Sequence, residues 1–266
     1  MKELWIIRHS HKLSYFPEKW EKHSRYKENP FDEPLTPCGL ELAEKTGVEL
    51  AKKSKALKNS EIQYIYCSPF TRCIQTAIQI IKAIKKVLDV DLKIIVLYGL
   101  GESILYRPTV SFQDDTIKYT TPDSVPFHNG SKKYKTTIDS KMNPKSLTKK
   151  YKEYIVGVIT KPHGIETWEE ESLRMFKVIK GIGDQKESSI VVGHAHTLDI
   201  AYNYFIRPKI PLISYSFGGE EHVCTMLGVI RETTKETKET KETKETKEKK
   251  AKWKIIYKPH AMSKCF

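Results

Sequence analysis

The feature that most constrains this chain is an alternation. Short apolar runs at 4–7, 62–67, 93–97 and 189–193 are interleaved with stretches whose apolar residues recur at helical spacing. The first run, Leu4-Trp5-Ile6-Ile7, has no polar position and reads as a strand buried on both faces. Leu40, Ala43, Gly47, Leu50 and Ala51 mark one face of a helix over 36–53, entered through Thr36-Pro37, a cap followed by proline at the first helical position. Ser68-Pro69 repeats that signal, and Ile74, Ala77, Ile78, Ile81 and Leu88 carry a second helix to residue 88. Trp168, Leu173, Phe176 and Ile179 mark a helix over 166–182, whose acidic start suits the positive end of a helix dipole, and another spans 197–205. Strands alternating with helices predict an α/β fold with a central, mostly parallel sheet flanked by helices on both faces.

In such sheets ligands sit beyond the carboxyl ends of the strands. Arg8-His9 follows the first strand, Ser68 to Arg72 the second, Glu102 the third and His194 the fourth. The pattern therefore gathers two histidines, two arginines and a glutamate at one sheet edge. Guanidinium forks match phosphate oxygens, and their positive field disfavours imidazolium, keeping a nearby histidine neutral and nucleophilic. A neutral imidazole can accept a phosphoryl group, with Arg8, Arg72 and His194 meeting the charge on the equatorial oxygens. Glu102 could protonate the leaving oxygen and later activate water. This chemistry calls for no cofactor and no metal. The blander readings are a structural histidine at a strand end, Arg72 as a surface charge, Glu102 as a turn residue, and Ser68 and Thr36 as caps. A zinc site is the rival, since His9-Ser10-His11 and His194-Ala195-His196 are two His-x-His pairs with Cys67 near them. The arginine directly before His9 opposes it.

The rest of the chain is less regular. Residues 10–35 are polar and too long for an ordinary connection. Residues 103–163 are rich in Pro, Ser, Thr, Lys and Tyr and read as an inserted cap or lid with one helix over 146–159. Two further strands are expected at 223–230 and 253–257. Between them Thr-Lys-Glu recurs five times from Thr234 to Glu248, a low-complexity extension of a hairpin over 232–250 that has no apolar face, is open to helix because all three residue types tolerate one, and is expected to be functionally inert.

No apolar run reaches the roughly 18 residues of a membrane span, and the start, which carries an acid and runs into a strand, does not read as a signal peptide. Five scattered cysteines suggest no disulfide framework, and with it a cytoplasmic setting. A formal charge of +13 is compatible with an anionic substrate, but the lysines are dispersed and no nucleic-acid motif is present. The expected partner is thus a phosphorylated small molecule or phosphoprotein, with no nucleic acid and no membrane. Oligomeric state, a homodimer included, stays open.

Four segments then carry a resemblance: Ile7-Arg8-His9, Pro34-Leu35-Thr36-Pro37-Cys38-Gly39, the run from Ser68 to Ala77, and the run from Val192 to Asp199. In this order they resemble the histidine phosphatase superfamily, which includes the phosphoglycerate mutases. Within it the chain looks most like the phosphatase domains of suppressor-of-T-cell-receptor-signalling proteins, in the long loop before Pro34, in Arg72-Cys73 and in the closing Trp253 to Pro259. The resemblance implies a single domain over 1–266 with a phosphoglycerate mutase-like fold and an inserted cap. It implies His9 as the phosphorylated nucleophile, Arg8, Arg72 and His194 as the phosphate pocket, and Glu102 as proton donor. The implied activity is a metal-independent phosphomonoesterase; a mutase-like phosphotransferase and a catalytically silent phospho-ligand binding module are the alternatives. Ser10 and His11 stand where the family usually has glycine and then a polar residue. Lys12 stands where some relatives add an arginine for the phosphate.

Overall fold

The structure is a computed structural model and describes residues 1–26, 32–102, 154–159, 168–206, 217–218, 220–232, 235–240, 243–248 and 252–260. In chain order the elements are β1 (Lys2–Arg8), α1 (Pro17–Glu21), α2 (Pro37–Lys53), α3 (Lys55–Lys58), β2 (Tyr64–Cys67), α4 (Thr71–Leu88), β3 (Lys93–Leu97), β4 (Ile155–Ile159), α5 (Trp168–Asp184), β5 (Ser189–Gly193), α6 (Ala195–Phe205), β6 (Met226–Glu232), β7 (Lys235–Thr240), β8 (Thr243–Glu248) and β9 (Lys252–His260). Seven strands form one sheet in the order β4-β3-β2-β5-β1-β6-β9. The first five are parallel, and β6 and β9 add antiparallel pairs.

Centrality explains the composition of β1. It lies between β5 and β6 and all seven of its residues are buried. Alternate side chains serve two cores: Trp5 and Ile7 pack with residues of α2, α3 and α4, whereas Leu4 and Ile6 pack with α5 and α6. Helices thus cover both faces, as the alternation predicts.

Register sets the site. Ile7 pairs with Val192 and Arg8 with Gly193, and the His9 amide donates to the Gly193 carbonyl at 2.8 Å. On the other side of β5, Cys67 pairs with Val192 and the Ser68 amide donates to the Val192 carbonyl at 3.0 Å. The residues after β1, β2 and β5 therefore leave the sheet side by side.

Several expectations need correction. The helix placed over 146–159 is replaced at its C-terminal end by β4, an edge strand parallel to β3; its sequence Ile155-Val156-Gly157-Val158-Ile159, β-branched at every position but Gly157, suits pairing better than helix. The rest of that helix, and most of the cap, lie outside the described residues. Ser68 does not cap α4: the Ncap is Phe70, and the Thr71 amide is taken by Asp32 Oδ1 at 2.6 Å. Thr36 does cap α2, accepting from the Gly39 amide at 2.9 Å. Residues 10–35 include a 3-10 turn at Leu13–Tyr15 and the short α1, on which Trp20 is buried. Cys38 is disulfide-bonded, while Cys67, Cys73 and Cys224 are free and buried. Cysteine spacing alone carries no information on which thiols meet in space. Among the described residues no helix is long and apolar enough to cross a membrane.

Candidate active site

Of the residues singled out in the sequence, His9, Arg72, His194 and Glu102 form one continuous cluster. His9, Arg72 and His194 are almost wholly buried, and the Glu102 side chain is 22% exposed, at the rim. The His9 and His194 rings lie edge to face with centroids 5.5 Å apart.

Hydrogen bonding sets the tautomers. The Ser10 carbonyl lies 2.8 Å from Nδ1 of His9. A carbonyl only accepts, so Nδ1 carries the proton and Nε2 holds the ring's lone pair. Arg72 Nη2 lies 3.2 Å from Nδ1 of His194. A guanidinium only donates, so neutral His194 accepts at Nδ1 and its Nε2–H donates to Ser68 Oγ at 2.8 Å. Ser68 is therefore part of the site.

Arg72, at the start of α4, is the hub. Its guanidinium donates to Glu102 Oε2 at 2.8 Å, lies 3.5 Å from Glu33 Oε2 and sits 4.3 Å from the centroid of the Phe70 ring. Glu102 Oε2 is also 3.4 Å from Nδ1 of His194. Arg8 donates to the Phe217 carbonyl at 2.9 Å and to the Tyr15 hydroxyl at 3.0 Å, which aims it along the same edge. Lys12 donates to Glu33 Oε1 at 2.6 Å, so its ammonium is engaged by a carboxylate.

The electrostatics follow. Burial, then the charges of Arg72 and Arg8, the competing protonation of His194 and the charge of Lys12, hold the His9 imidazole well below its ordinary value of 6.5. His9 is thus neutral at physiological pH. Burial pushes the neighbouring Cys73 thiol up to about 12, so no thiolate competes beside His194 Nε2, 3.7 Å away.

The two His-x-His pairs do not converge. His11 Nδ1 lies 3.1 Å from Thr36 Oγ1, and His196 lies 3.1 Å from Glu171 Oε1 and 2.9 Å from Ser172 Oγ, stacked on Trp168. Among the described residues no three His, Cys, Asp or Glu side chains group as a metal ion requires.

Glu33, Ser68 and Asp32 were not assigned to the site from sequence. Asp32-Glu33 directly precedes the Pro34-Leu35-Thr36 segment, and an acidic pair leading into a helix cap was the available signal. Its partner, Arg72, lies on a different helix, and only the fold brings them together.

Residues 4–103 match the model of the histidine phosphatase superfamily (branch 1). Among solved structures, the chain is similar to the ecdysone phosphate phosphatase of Bombix mori in complex with tungstate, at 18% identity, over 86% of this chain and 89% of that one, with a TM-score of 0.51. It is also similar to a mycobacterial glucosyl-3-phosphoglycerate phosphatase (15% identity, 86% and 89% covered, TM-score 0.43). A third is a phosphoserine phosphatase variant of Entamoeba histolytica in complex with phosphoserine (15% identity, 86% and 91% covered, TM-score 0.43). The first of these supports the fold. A search of curated proteins returns no match.

Proposed function

We propose that this chain, which carries the signature of the histidine phosphatase superfamily (branch 1) over residues 4–103, is a phosphomonoesterase working through a phosphohistidine at His9. One observation carries the reading: a buried imidazole, kept neutral by surrounding cations, has its Nδ1–H tied to the Ser10 carbonyl and so presents Nε2 as the reactive atom.

In the first step Nε2 of His9 attacks phosphorus. The P–N bond forms, the bond to the ester oxygen breaks, and Glu102 delivers a proton to that oxygen. Arg8 and Arg72 stabilise the equatorial oxygens, joined by His194 when its ring is protonated and so presents a second N–H. In the second step water attacks phosphorus, Glu102 takes its proton and the P–N bond breaks. Glu102 is paired with Arg72 before substrate arrives. A phosphoryl group that takes over Arg72 leaves Glu102 beside a dianion, which raises its proton affinity at the moment a proton is needed. None of these steps uses a metal. Within the superfamily, the Arg72-Cys73 pair, the loop before Pro34 and the closing Trp253 to Pro259 support a likeness to the suppressor-of-T-cell-receptor-signalling phosphatase domains.

The test is hydrolysis of para-nitrophenyl phosphate in the presence of a chelator, comparing wild type with His9→Ala. Chelator-resistant turnover that disappears in the variant is expected. Equal activity in the two proteins would refute His9 as nucleophile.

A further inference from the structure

We propose that Arg174, on α5, is a positioning residue for Glu102. The proposal rests on the reading of Glu102 as the proton donor.

Glu102 follows a 3-10 turn, Tyr98–Leu100, at the end of β3. Arg174 Nη1 donates to the Gly99 carbonyl at 2.7 Å, and Nη2 to the Gly101 carbonyl at 3.0 Å. The two carbonyls flank Leu100, and the second belongs to the residue bonded to Glu102. A single hydrogen bond would leave a pivot. A planar guanidinium spanning two carbonyls fixes direction as well as distance.

The turn is also docked on the same helix by packing. Leu100 is fully buried in the cluster that holds Met175 and Ile179 of α5. A Cβ on Gly99 would come within 2.6 Å of Val178 Cγ2, so glycine is what allows the turn to lie this close.

α5 is in turn fixed to the helix capped by His194. His196 Nδ1 lies 3.1 Å from Glu171 Oε1 and its Nε2 2.9 Å from Ser172 Oγ, with the ring stacked on Trp168 at 4.1 Å. One helix therefore holds both the backbone that carries Glu102 and the helix start that carries His194. Arg174 is the polar link on the Glu102 side. Without it the carboxyl group loses its registration against the ester oxygen, and misplacement of a catalytic group by about 1 Å costs on the order of 100-fold.

The test uses the full chain and the leaving-group dependence of kcat/KM, from 2,4-dinitrophenyl phosphate to phenyl phosphate. It compares wild type, Arg174→Met, Arg174→Lys and Glu102→Gln. A dinitrophenolate departs without protonation, whereas a phenolate needs the acid. Glu102→Gln and Arg174→Met should both lose about 100-fold on phenyl phosphate and less than about threefold on the dinitrophenyl ester, the contrast expected when acid catalysis alone is lost. Arg174→Lys should fall between Arg174→Met and wild type. Partial misfolding lowers all substrates equally, so the contrast reads position rather than folding. A uniform loss in Arg174→Met, or no loss, would overturn the proposal. A flat response in Glu102→Gln would instead overturn Glu102 as the acid, and the role of Arg174 with it.

Discussion

Arg72 donates to Nδ1 of His194 at 3.2 Å, and Ser68 Oγ lies 2.8 Å from the opposite ring nitrogen, so His194 is gripped at both ends. Ser68→Ala removes the oxygen acceptor and leaves the buried Nε2–H facing only the weak acceptor Cys73 Sγ, 3.7 Å away. We expect kcat/KM to fall by about tenfold, the consequence of losing one buried partner. Steady-state kinetics on para-nitrophenyl phosphate measure it; an unchanged value would mean that the ring needs no help from Ser68.

On the proposed phosphohistidine mechanism, His9 sets the acid limb of the pH profile. Burial and the surrounding cations disfavour its protonated form, so activity should persist well below pH 6.5. Lys12→Met removes one of those cations, raises the proton affinity of His9 and should move the acid limb toward higher pH. A limb that does not move, or moves to lower pH, would contradict the assignment.

The same shift predicts a stability slope. The unfolded chain takes up a proton on His9 near pH 6.5, and the folded chain resists it until its lower value is reached. Stability from this group is therefore complete above pH 6.5 and falls as pH drops below it, by about 1.4 kcal/mol per pH unit. Thermal melts at pH 7.5 and 5.5 should show a smaller decline for His9→Gln than for wild type.

Glu33 is buried against Lys12 at 2.6 Å and Arg72 at 3.5 Å, so it competes for the cations a phosphate would use. Glu33→Gln keeps the shape and removes the charge. Inhibition by inorganic phosphate should tighten by about fivefold, the scale of about 1 kcal/mol for one competing ion pair. Weaker inhibition would show that Glu33 assists binding by holding Lys12 in place.

Gly39 lies against the segment that follows His9. A Cβ there would sit 2.2 Å from the His11 carbonyl oxygen, which already accepts from the Thr36 amide at 3.0 Å. Gly39→Ala must displace either α2 or the backbone after His9. A destabilisation of about 3 kcal/mol, the upper part of the overpacking range, is expected. Chemical denaturation checks it, and an unshifted midpoint would be incompatible with the packing described.

The sheet edge was legible because β1, β2, β3 and β5 announce themselves locally. Leu4 to Ile7 is continuously apolar, and the residues that leave β1, β2 and β5 follow directly in the chain. Thr36 was legible for the same reason, since a cap acts within its own turn. What could not be read were pairings that depend on tertiary approach. Ser68 has the local look of a cap but finds His194, and Asp32 supplies the acceptor at the start of α4 that Ser68 was expected to supply. β4 was misread because an apolar run of five residues has no period that separates a buried strand from a helix segment.

The β7–β8 hairpin has a different kind of consequence. Its register sets Lys235 opposite Glu248, Glu236 opposite Lys247 and Thr237 opposite Thr246, and the same three rungs then recur. An antiparallel pairing of a three-residue repeat maps onto itself when one Thr-Lys-Glu unit is gained or lost. Copy number in this arm thus leaves the cross-strand pairing of residue types unchanged. The coding repeat can expand or contract without changing which residue type meets which, and with β6 and β9 paired to each other within the main sheet, such changes stay remote from His9.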